Sequence, residues 1–232
     1  MTRVKICGIR NEDDLRTAVA AGADAVGFLV GQVHASPSFI LPGTAARLAT
    51  ALPPYIQPVL VTHLTEPNEI VDLVSRTGIY SIQLHGGSTP EQVAALRDKL
   101  IPQAKLIVAT HLREDRQMLD LMDFYSVADA ILLDSCLPEE RKVGGTGIIC
   151  DWDLAAKFTA GSLVPITLAG GLAADNVGDA IRKVKPFAVD ANSRLRDAEG
   201  RLDYEKALAF CRNAKMQELD CPLPLYHNSV TF

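Results

Sequence analysis

The stretch RVKICGIRNEDDLRTAVAAGADAVGFLV, residues 3–30, decides the fold. It contains an apolar run at residues 4–9, a segment at 11–21 patterned like an amphipathic helix, and a second apolar run at 25–30. Short, nearly continuous apolar runs are typical of strands that are covered on both faces, as in parallel sheets. The stretch therefore predicts a strand–helix–strand unit with parallel strands.

The same alternation continues along the chain. Further apolar runs lie at residues 58–61, 81–86, 105–109, 130–134, 165–171 and 187–190, and helical patterns begin near residue 44 and cover 68–76, 91–100, 113–122, 151–158, 175–183 and 204–213. About eight strand–helix units, in a chain near the usual ~250-residue size, favour a single (β/α)8 TIM barrel of the α/β class. An open doubly wound sheet permits the same alternation, but no GxGxxG follows the first strand, which weakens a dinucleotide-binding version.

The barrel is predicted to form one domain over residues 1–213. The remaining residues, 214–232, contain Pro222 and Pro224 and are predicted to be an irregular C-terminal extension. The chain of 232 residues is 48% hydrophobic, which suits one substantial core.

Composition narrows the possible partners. A net charge of −5 and a pI near 5.5 provide no field that gathers nucleic acid, although a local site for a small phosphate remains compatible with them. No stretch approaches the ~20 apolar residues of a membrane helix, and nothing near Met1 resembles a signal peptide. The five cysteines are scattered and show no zinc-ligand spacing, so we expect a reduced, cytoplasmic protein without a metal site.

Two reactive side chains stand at predicted strand ends. Cys7 lies toward the end of the first apolar run and Asp134 ends the run at 130–134. Residues at the carboxyl ends of barrel strands point into the catalytic mouth, where a thiol and a carboxyl can act as proton acceptor and proton donor. Considered alone, Cys7 is more often a small core residue, and Asp134 can equally cap a helix or anchor a loop.

Glycine-rich loops in the sequence predict an anion-binding site. Backbone amides in such loops, next to the start of a helix, bind phosphate, and barrels commonly do so after strands seven and eight. A tight turn without a ligand is the alternative for each loop. The candidate residues in these loops are Gly145, Gly170, Gly171, Asn192 and Ser193.

Other strand-end residues are candidates for substrate contact. His85 follows the fourth predicted strand, and it can contact substrate or bond a neighbouring loop. Asp190 ends the eighth strand and is interpreted as an orienting or substrate-binding carboxylate. His63 and His111 also lie at strand ends, but they lack partners at a recognisable metal-ligand spacing.

Seven segments, taken in order, resemble the phosphoribosylanthranilate isomerase family. They are VKICGI at 4–9, AGADAVGF at 21–28, QLHG at 83–86, LLDS at 132–135, GGTG at 144–147 with DW at 151–152, LAGGL at 168–172 with NV at 176–177, and PFAVD at 186–190. They extend from the start of the chain to about residue 213, and together they identify it as a divergent member.

The resemblance implies an Amadori rearrangement in tryptophan biosynthesis that converts an N-(5-phosphoribosyl)amine aldose into its 1-deoxyribulose ketose. Asp134 would be the general acid and Cys7 the general base. His85, Asp190, Gly145 and Arg194 would bind substrate, and the loops after strands seven and eight its phosphate. The resemblance requires no cofactor, and it implies a small phosphosugar as partner and a monomer or homodimer.

Departures from the family pattern fall near the expected substrate site. Ser38 stands where the family usually has an arginine that helps to hold the anthranilate carboxylate, and Thr62-His63 replaces a differently composed third-strand end. Arg194 replaces a glycine, so it could block the approach of phosphate or bind it. Two alternatives therefore remain: a paralogue that isomerises a different phosphorylated aminoaldose, and a non-catalytic barrel that binds a sugar phosphate or a partner.

Overall fold

The computed structural model describes residues 1–33, 35–111, 121–134 and 151–217. Eight parallel strands close into a barrel in sequential order, with the last strand paired to the first. The strands are β1 (Arg3–Ile6), β2 (Ala25–Leu29), β3 (Gln57–Thr62), β4 (Ser81–Leu84), β5 (Lys105–His111), β6 (Ala130–Asp134), β7 (Ile166–Leu168) and β8 (Ala188–Ala191). The predicted (β/α)8 TIM barrel is confirmed, and the open doubly wound sheet is wrong.

Helices connect the strands on the outside of the barrel. Within the described ranges they are α1 (Glu12–Ala20), α2 (Pro42–Thr50), α3 (Pro67–Thr77), α4 (Pro90–Arg97), α5 (Trp152–Gly161), α6 (Val177–Val184) and α7 (Tyr204–Lys215). Most of the helix predicted over 113–122 lies outside the described residues. The final helix continues to Lys215, while 218–232 are not described, so the irregular extension stays a prediction.

The helix starts show the capping chemistry that the sequence indicates. The Asn11 side chain accepts a hydrogen bond from the Asp14 amide at the start of α1, and Thr89 forms a capping box with Gln92 at the start of α4. Asn176 is the cap residue of α6, and the neighbouring Asp175 carboxylate accepts a hydrogen bond from Arg194.

Alternation along each strand separates two apolar layers. Outward-facing residues such as Val4, Ile6 and Leu133 are completely buried and join the large cluster that the helices cover. Inward-facing residues, including Val59 and Leu132, form smaller clusters in the barrel lumen. The lumen is therefore packed along much of its length, and polar side chains enter it at particular strand positions. Among the described helices, none is long and apolar enough to cross a membrane.

Candidate active site

The mouth of the barrel brings the two predicted reactive groups to one end. Cys7 directly follows the last residue of β1, and Asp134 is the last residue of β6. All strands run in the same direction, so both side chains lie at the carboxyl end of the barrel. Both residues are buried, at 8% and 7% exposure. The structure thus places them in the face that barrel enzymes use for catalysis.

A buried ion pair lies beside Cys7. Lys5 and Asp190 are opposite each other in the β1–β8 register, and the Lys5 Nζ donates to Asp190 Oδ2 over 2.7 Å. Because side chains alternate along a strand, Lys5 and Cys7 point to the same side, into the lumen. The pKa of Lys5 is raised: burial acts to lower it, but the negative charges of Asp190 and Cys7 outweigh burial.

Cys7 is packed against the backbone of β2. A Cβ atom on Gly27 would lie 2.6 Å from the Cys7 Sγ and 3.2 Å from the Lys5 Nζ, so only glycine leaves room for both groups. Burial raises the pKa of the Cys7 thiol, and Asp190 adds to the increase, whereas the charge and hydrogen bond of Lys5 act in the opposite direction. Lys5 therefore contributes most to favouring the thiolate form, and the backbone amide of Gly8 adds to its effect.

Asp134 lies beside His85. The His85 Nε2 lies 3.5 Å from Asp134 Oδ2, and the His85 Nδ1 lies 3.1 Å from the Gln83 amide nitrogen. An amide nitrogen only donates, so Nδ1 accepts and the imidazole proton is assigned to Nε2, facing Asp134. The pKa of His85 is lowered to about 3, mainly by burial and further by the charges of His111, His63 and Lys5.

Two further imidazoles surround His85. The His63 and His111 rings lie with their centroids 5.5 and 5.7 Å from the His85 ring, at the ends of β3 and β5. Within the described part of the chain, no group of three His, Cys, Asp or Glu side chains is arranged to hold a metal ion. The three rings instead form one aromatic wall of the mouth, next to Asp134.

The loops after β7 and β8 carry the predicted phosphate-binding residues. Gly170 and Gly171 have φ angles of 87° and 62°, which favour glycine. The carbonyl of Gly171 accepts a hydrogen bond from the Asn176 side chain, which fixes the loop at the start of α6. Within the described residues, the amides of Gly170, Gly171 and Ser193 make no hydrogen bond to a protein acceptor. These amides are therefore available to an anion.

Arg194 lies across the same loops. Its guanidinium donates to the Gly171 carbonyl and to the Asp175 carboxylate, each over 2.9 Å. The side chain thus links the loop after β8 to the loop after β7, and a third of it remains exposed. Arg194 does not fill the loop interior, so its charge can assist anion binding from the rim.

The sequence did not point to Arg196, which holds the two sides of the β1–β8 junction together. Its guanidinium donates to the Asn192 side chain, to the carbonyl of Gly8 and to the buried Asp14 carboxylate. Gly8 has φ of 78°, and a Cβ there would lie 2.7 Å from the Asn192 side chain. Arg196 therefore fixes the loop that follows Cys7 and the end of β8 that carries Asn192.

Two residues that the sequence analysis singled out remain to be placed, Gly145 and Ser38. Gly145 lies outside the described residues. Ser38, which replaces the expected arginine, is buried at 5% exposure, and its amide donates to the Ser36 hydroxyl. A serine in this position offers no charge to a carboxylate, so the described residues on the second-strand loop do not supply the fork that the family uses.

A separate cavity of about 1020 Å³ opens at the opposite, amino-terminal end of the barrel. Strand-start residues line it, including Ala25, Ser81 and Thr167, and Lys5 lies at its inner end. Conserved chemistry in barrels belongs to the other face, so this cavity is not the catalytic mouth. It does place the Lys5 side chain between the mouth and the amino-terminal face.

Comparisons with known proteins agree with this arrangement. The family model described as N-(5'phosphoribosyl)anthranilate (PRA) isomerase matches residues 4–213. N-(5'-phosphoribosyl)anthranilate isomerase 2 of Methanosarcina mazei is 41% identical over 92% of this chain and 94% of its own length. The N-(5'-phosphoribosyl)anthranilate isomerase of Geobacter sulfurreducens is 39% identical over 93% and 99%.

Solved structures agree as well. Phosphoribosyl anthranilate isomerase from Thermotoga maritima superposes with a TM-score of 0.79 at 35% identity, covering 93% of this chain and 99% of that one. A phosphoribosyl anthranilate isomerase in complex with reduced 1-(o-carboxyphenylamino)-1-deoxyribulose 5-phosphate superposes with a TM-score of 0.77 at 33% identity and the same coverage. The chain therefore belongs to the N-(5'-phosphoribosyl)anthranilate isomerase family and is an isomerase of tryptophan biosynthesis.

Proposed function

We propose that the barrel catalyses the Amadori rearrangement of N-(5'-phosphoribosyl)anthranilate with Asp134 as general acid and Cys7 as general base. The observation that carries this assignment is the convergence of the two groups: both are buried at the carboxyl ends of strands, in one mouth. An acid must start protonated and a base must start ionised, and the charge of Lys5 acts on Cys7 in the direction that a base requires, against burial.

The reaction proceeds in two proton transfers. Asp134 gives its proton to the ribose ring oxygen, the bond from that oxygen to C1 breaks, and the nitrogen lone pair forms a C1–N iminium. The iminium acidifies the C2–H bond, so the Cys7 thiolate removes that proton and the electron pair forms the C1–C2 double bond of an enolamine. Tautomerisation to the ketone completes the aldose-to-ketose change. The neutral His85 ring, whose Nε2 lies 3.5 Å from Asp134 Oδ2, is proposed to orient the carboxyl.

The phosphate of the substrate is proposed to bind at the loops after β7 and β8. The support is the set of amides at Gly170, Gly171 and Ser193 and the Arg194 guanidinium at the rim. Asn192 orders the same loop through its contact with Arg196. Asp190 is proposed to act through Lys5, and to offer its second oxygen, which has no partner among the described residues, to a substrate hydroxyl.

The extent of the catalytic unit, its oligomeric state and its compartment are part of the same proposal. We propose that residues 1–213 form the catalytic unit, working as a monomer or homodimer in the cytoplasm. The free thiols of Cys7 and Cys211 are suited to a reducing compartment. One similar structure is that of monomers generated from a dimeric phosphoribosylanthranilate isomerase of Thermotoga maritima.

The test uses freshly prepared phosphoribosylanthranilate and follows the loss of its fluorescence. Cys7→Ala and Asp134→Asn are each expected to lower kcat by about 10²–10⁴-fold, the usual contribution of one positioned proton transfer. Cys211→Ala is the matched control, since Cys211 is buried away from the mouth on α7, and it should keep the wild-type kcat. Turnover in Cys7→Ala at the wild-type rate would remove the base assignment. Turnover of another phosphorylated aminoaldose but not of this substrate would favour the paralogue.

A further inference from the structure

We propose that Lys5 is a positioning residue for the isomerisation, which makes the Cys7 sulfur easier to ionise and holds it in place against β2. The inference rests on the proposed role of Cys7 as base. It goes beyond that role because it assigns to a second side chain, remote from the substrate-facing surface, the task of making the thiol usable.

The geometry of three adjacent strands carries the argument. Lys5 and Cys7 are two residues apart on β1 and point to the same side, while Asp190 faces Lys5 from β8 over 2.7 Å. On β2, Gly27 has no side chain, and a Cβ there would lie 2.6 Å from the Cys7 Sγ and 3.2 Å from the Lys5 Nζ. The ammonium is therefore held by Asp190, and it packs against the same glycine as the sulfur.

Among the charged groups around the Cys7 sulfur, Lys5 favours the thiolate most. The groups that face Cys7 are Lys5 from β1, Asp190 from β8 and Arg196 from the segment after β8. The Arg196 guanidinium donates to the Cys7 carbonyl over 3.5 Å, to Asp14 and to the Gly8 carbonyl, and its charge also interacts with Cys7. Asp190 is negative and opposes a thiolate. Lys5 is the positive group with the largest effect on the sulfur, since its charge lowers the pKa of the Cys7 thiol against burial.

A purely structural role predicts a different outcome. If Lys5 only neutralised the buried Asp190 carboxylate, removing both charges together would restore whatever the loss of one had cost. If Lys5 also stabilises the thiolate, the pair of neutral residues folds but leaves Cys7 as an inert thiol. A double-mutant cycle with Lys5→Met and Asp190→Asn therefore separates the two roles.

The readout is the rate at which iodoacetamide alkylates Cys7 as a function of pH, measured by peptide mass spectrometry, beside kcat. Only the thiolate reacts. We expect K5M/D190N to alkylate at pH 7 about tenfold more slowly than D190N, because its half-maximal pH rises by about one unit, and to have a lower kcat. Cys211 is the internal control. It is buried with a pKa raised by burial to about 12, so it stays unmodified while the barrel is folded.

Equal alkylation and equal kcat in D190N and K5M/D190N would overturn the proposal. That result is distinguishable from a failure of the base assignment, in which Cys7→Ala itself keeps its turnover.

The amino-terminal cavity offers a second measurement. Because Lys5 lines that cavity, Lys5→Ala opens a path through which n-propylammonium, the missing part of the side chain, reaches the sulfur. Restoration of Cys7 alkylation by propylammonium and not by n-propanol supports the proposal. Equal restoration by both compounds contradicts it, since volume rather than charge would then be what Lys5 supplies.

Discussion

The two sides of the barrel mouth are buried to a similar degree, but each holds a reactive side chain that needs the opposite protonation state. On the β8–β1 side, Cys7 lies beside a buried ion pair of Lys5 and Asp190. On the β4–β6 side, Asp134 lies beside a neutral His85 whose ring is held by Gln83. Both reactive groups are almost completely removed from solvent, and the described neighbours beside them differ: the Lys5 ammonium acts on Cys7 and the His85 imidazole lies next to Asp134.

Burial explains the difference. Removal from water disfavours the charged form of any acid, so it favours a protonated thiol and a protonated carboxyl alike. A general acid needs that protonated form. A general base needs the ionised form, so burial must be opposed by a positive charge, and Lys5 supplies a charge of that sign beside Cys7.

The largest loss of activity is expected from a change that disturbs the packing around Cys7 without altering any charge. Gly27→Ala places a Cβ 2.6 Å from the present Sγ position, so the sulfur must leave its present position beside Lys5. A misplacement of about 1 Å can cost about 10²-fold, and we expect a loss of that size in kcat/KM.

Gly43→Ala is the matched control, since a Cβ at Gly43, on α2, meets nothing within 4 Å. It should keep full activity and gain stability through the helix propensity of alanine, by about 0.5–1 kcal/mol. Thermal unfolding of both variants separates an effect on the site from an effect on the fold. Wild-type activity in folded Gly27→Ala would show that close contact between Cys7 and β2 is not needed.

The sequence predicted one side of this comparison less completely than the other. Cys7 and Asp134 were found because each ends an apolar run, and position along a strand is visible in sequence. Lys5 carried a signal too, as a charged residue inside an apolar strand two positions before Cys7, but its partner Asp190 becomes its neighbour only when β8 closes the barrel. Gly27 indicated a close approach inside a strand, although the atom that approaches it cannot be read from the chain.

Long-range contacts account for the remaining differences. Arg194 offered two interpretations, to block phosphate or to bind it, because its pairing with the Gly171 carbonyl and Asp175 depends on how two loops meet. Arg196 gave no sequence signal, since an arginine in a polar loop is ordinary until Asp14 and Gly8 are brought to it. Repeating local patterns therefore predicted the barrel, whereas the charges that tune the mouth required its closure.

The acid side is tested by the dependence of stability on pH. The folded-state pKa of His85 is lowered to about 3, below its unfolded value near 6.5. Between these two values the unfolded chain binds the proton and the folded chain does not, so the free energy of unfolding falls as pH decreases from about 6.5 toward 3. Above about 6.5, both states are neutral at this residue and the contribution is flat.

His85→Gln removes that titration while it keeps a neutral donor. Between pH 6.5 and 4.5 the free energy of unfolding of the variant should fall by about 2–3 kcal/mol less than that of the wild type, at ~1.4 kcal/mol per pH unit. Urea denaturation at both pH values measures this difference. Parallel curves for the two proteins would mean that His85 is protonated in the folded state, and the contrast between a charged and a neutral side would then be lost.

The smallest effect is expected at the phosphate loops, which belong to neither side. Arg194→Ala removes a rim cation that is a third exposed and already paired with Asp175, so its loss should raise KM by about 2–5-fold, as for a partly solvated pair, and leave kcat nearly unchanged. Arg182→Ala, which removes an exposed cation paired within α6, is the control and should change neither constant. A fall in kcat without a change in KM would place Arg194 among the groups that govern proton transfer, because an interaction made only in the transition state lowers kcat. Arg194 would then belong with the proton-transfer groups of the mouth and not with a separate anion-binding rim.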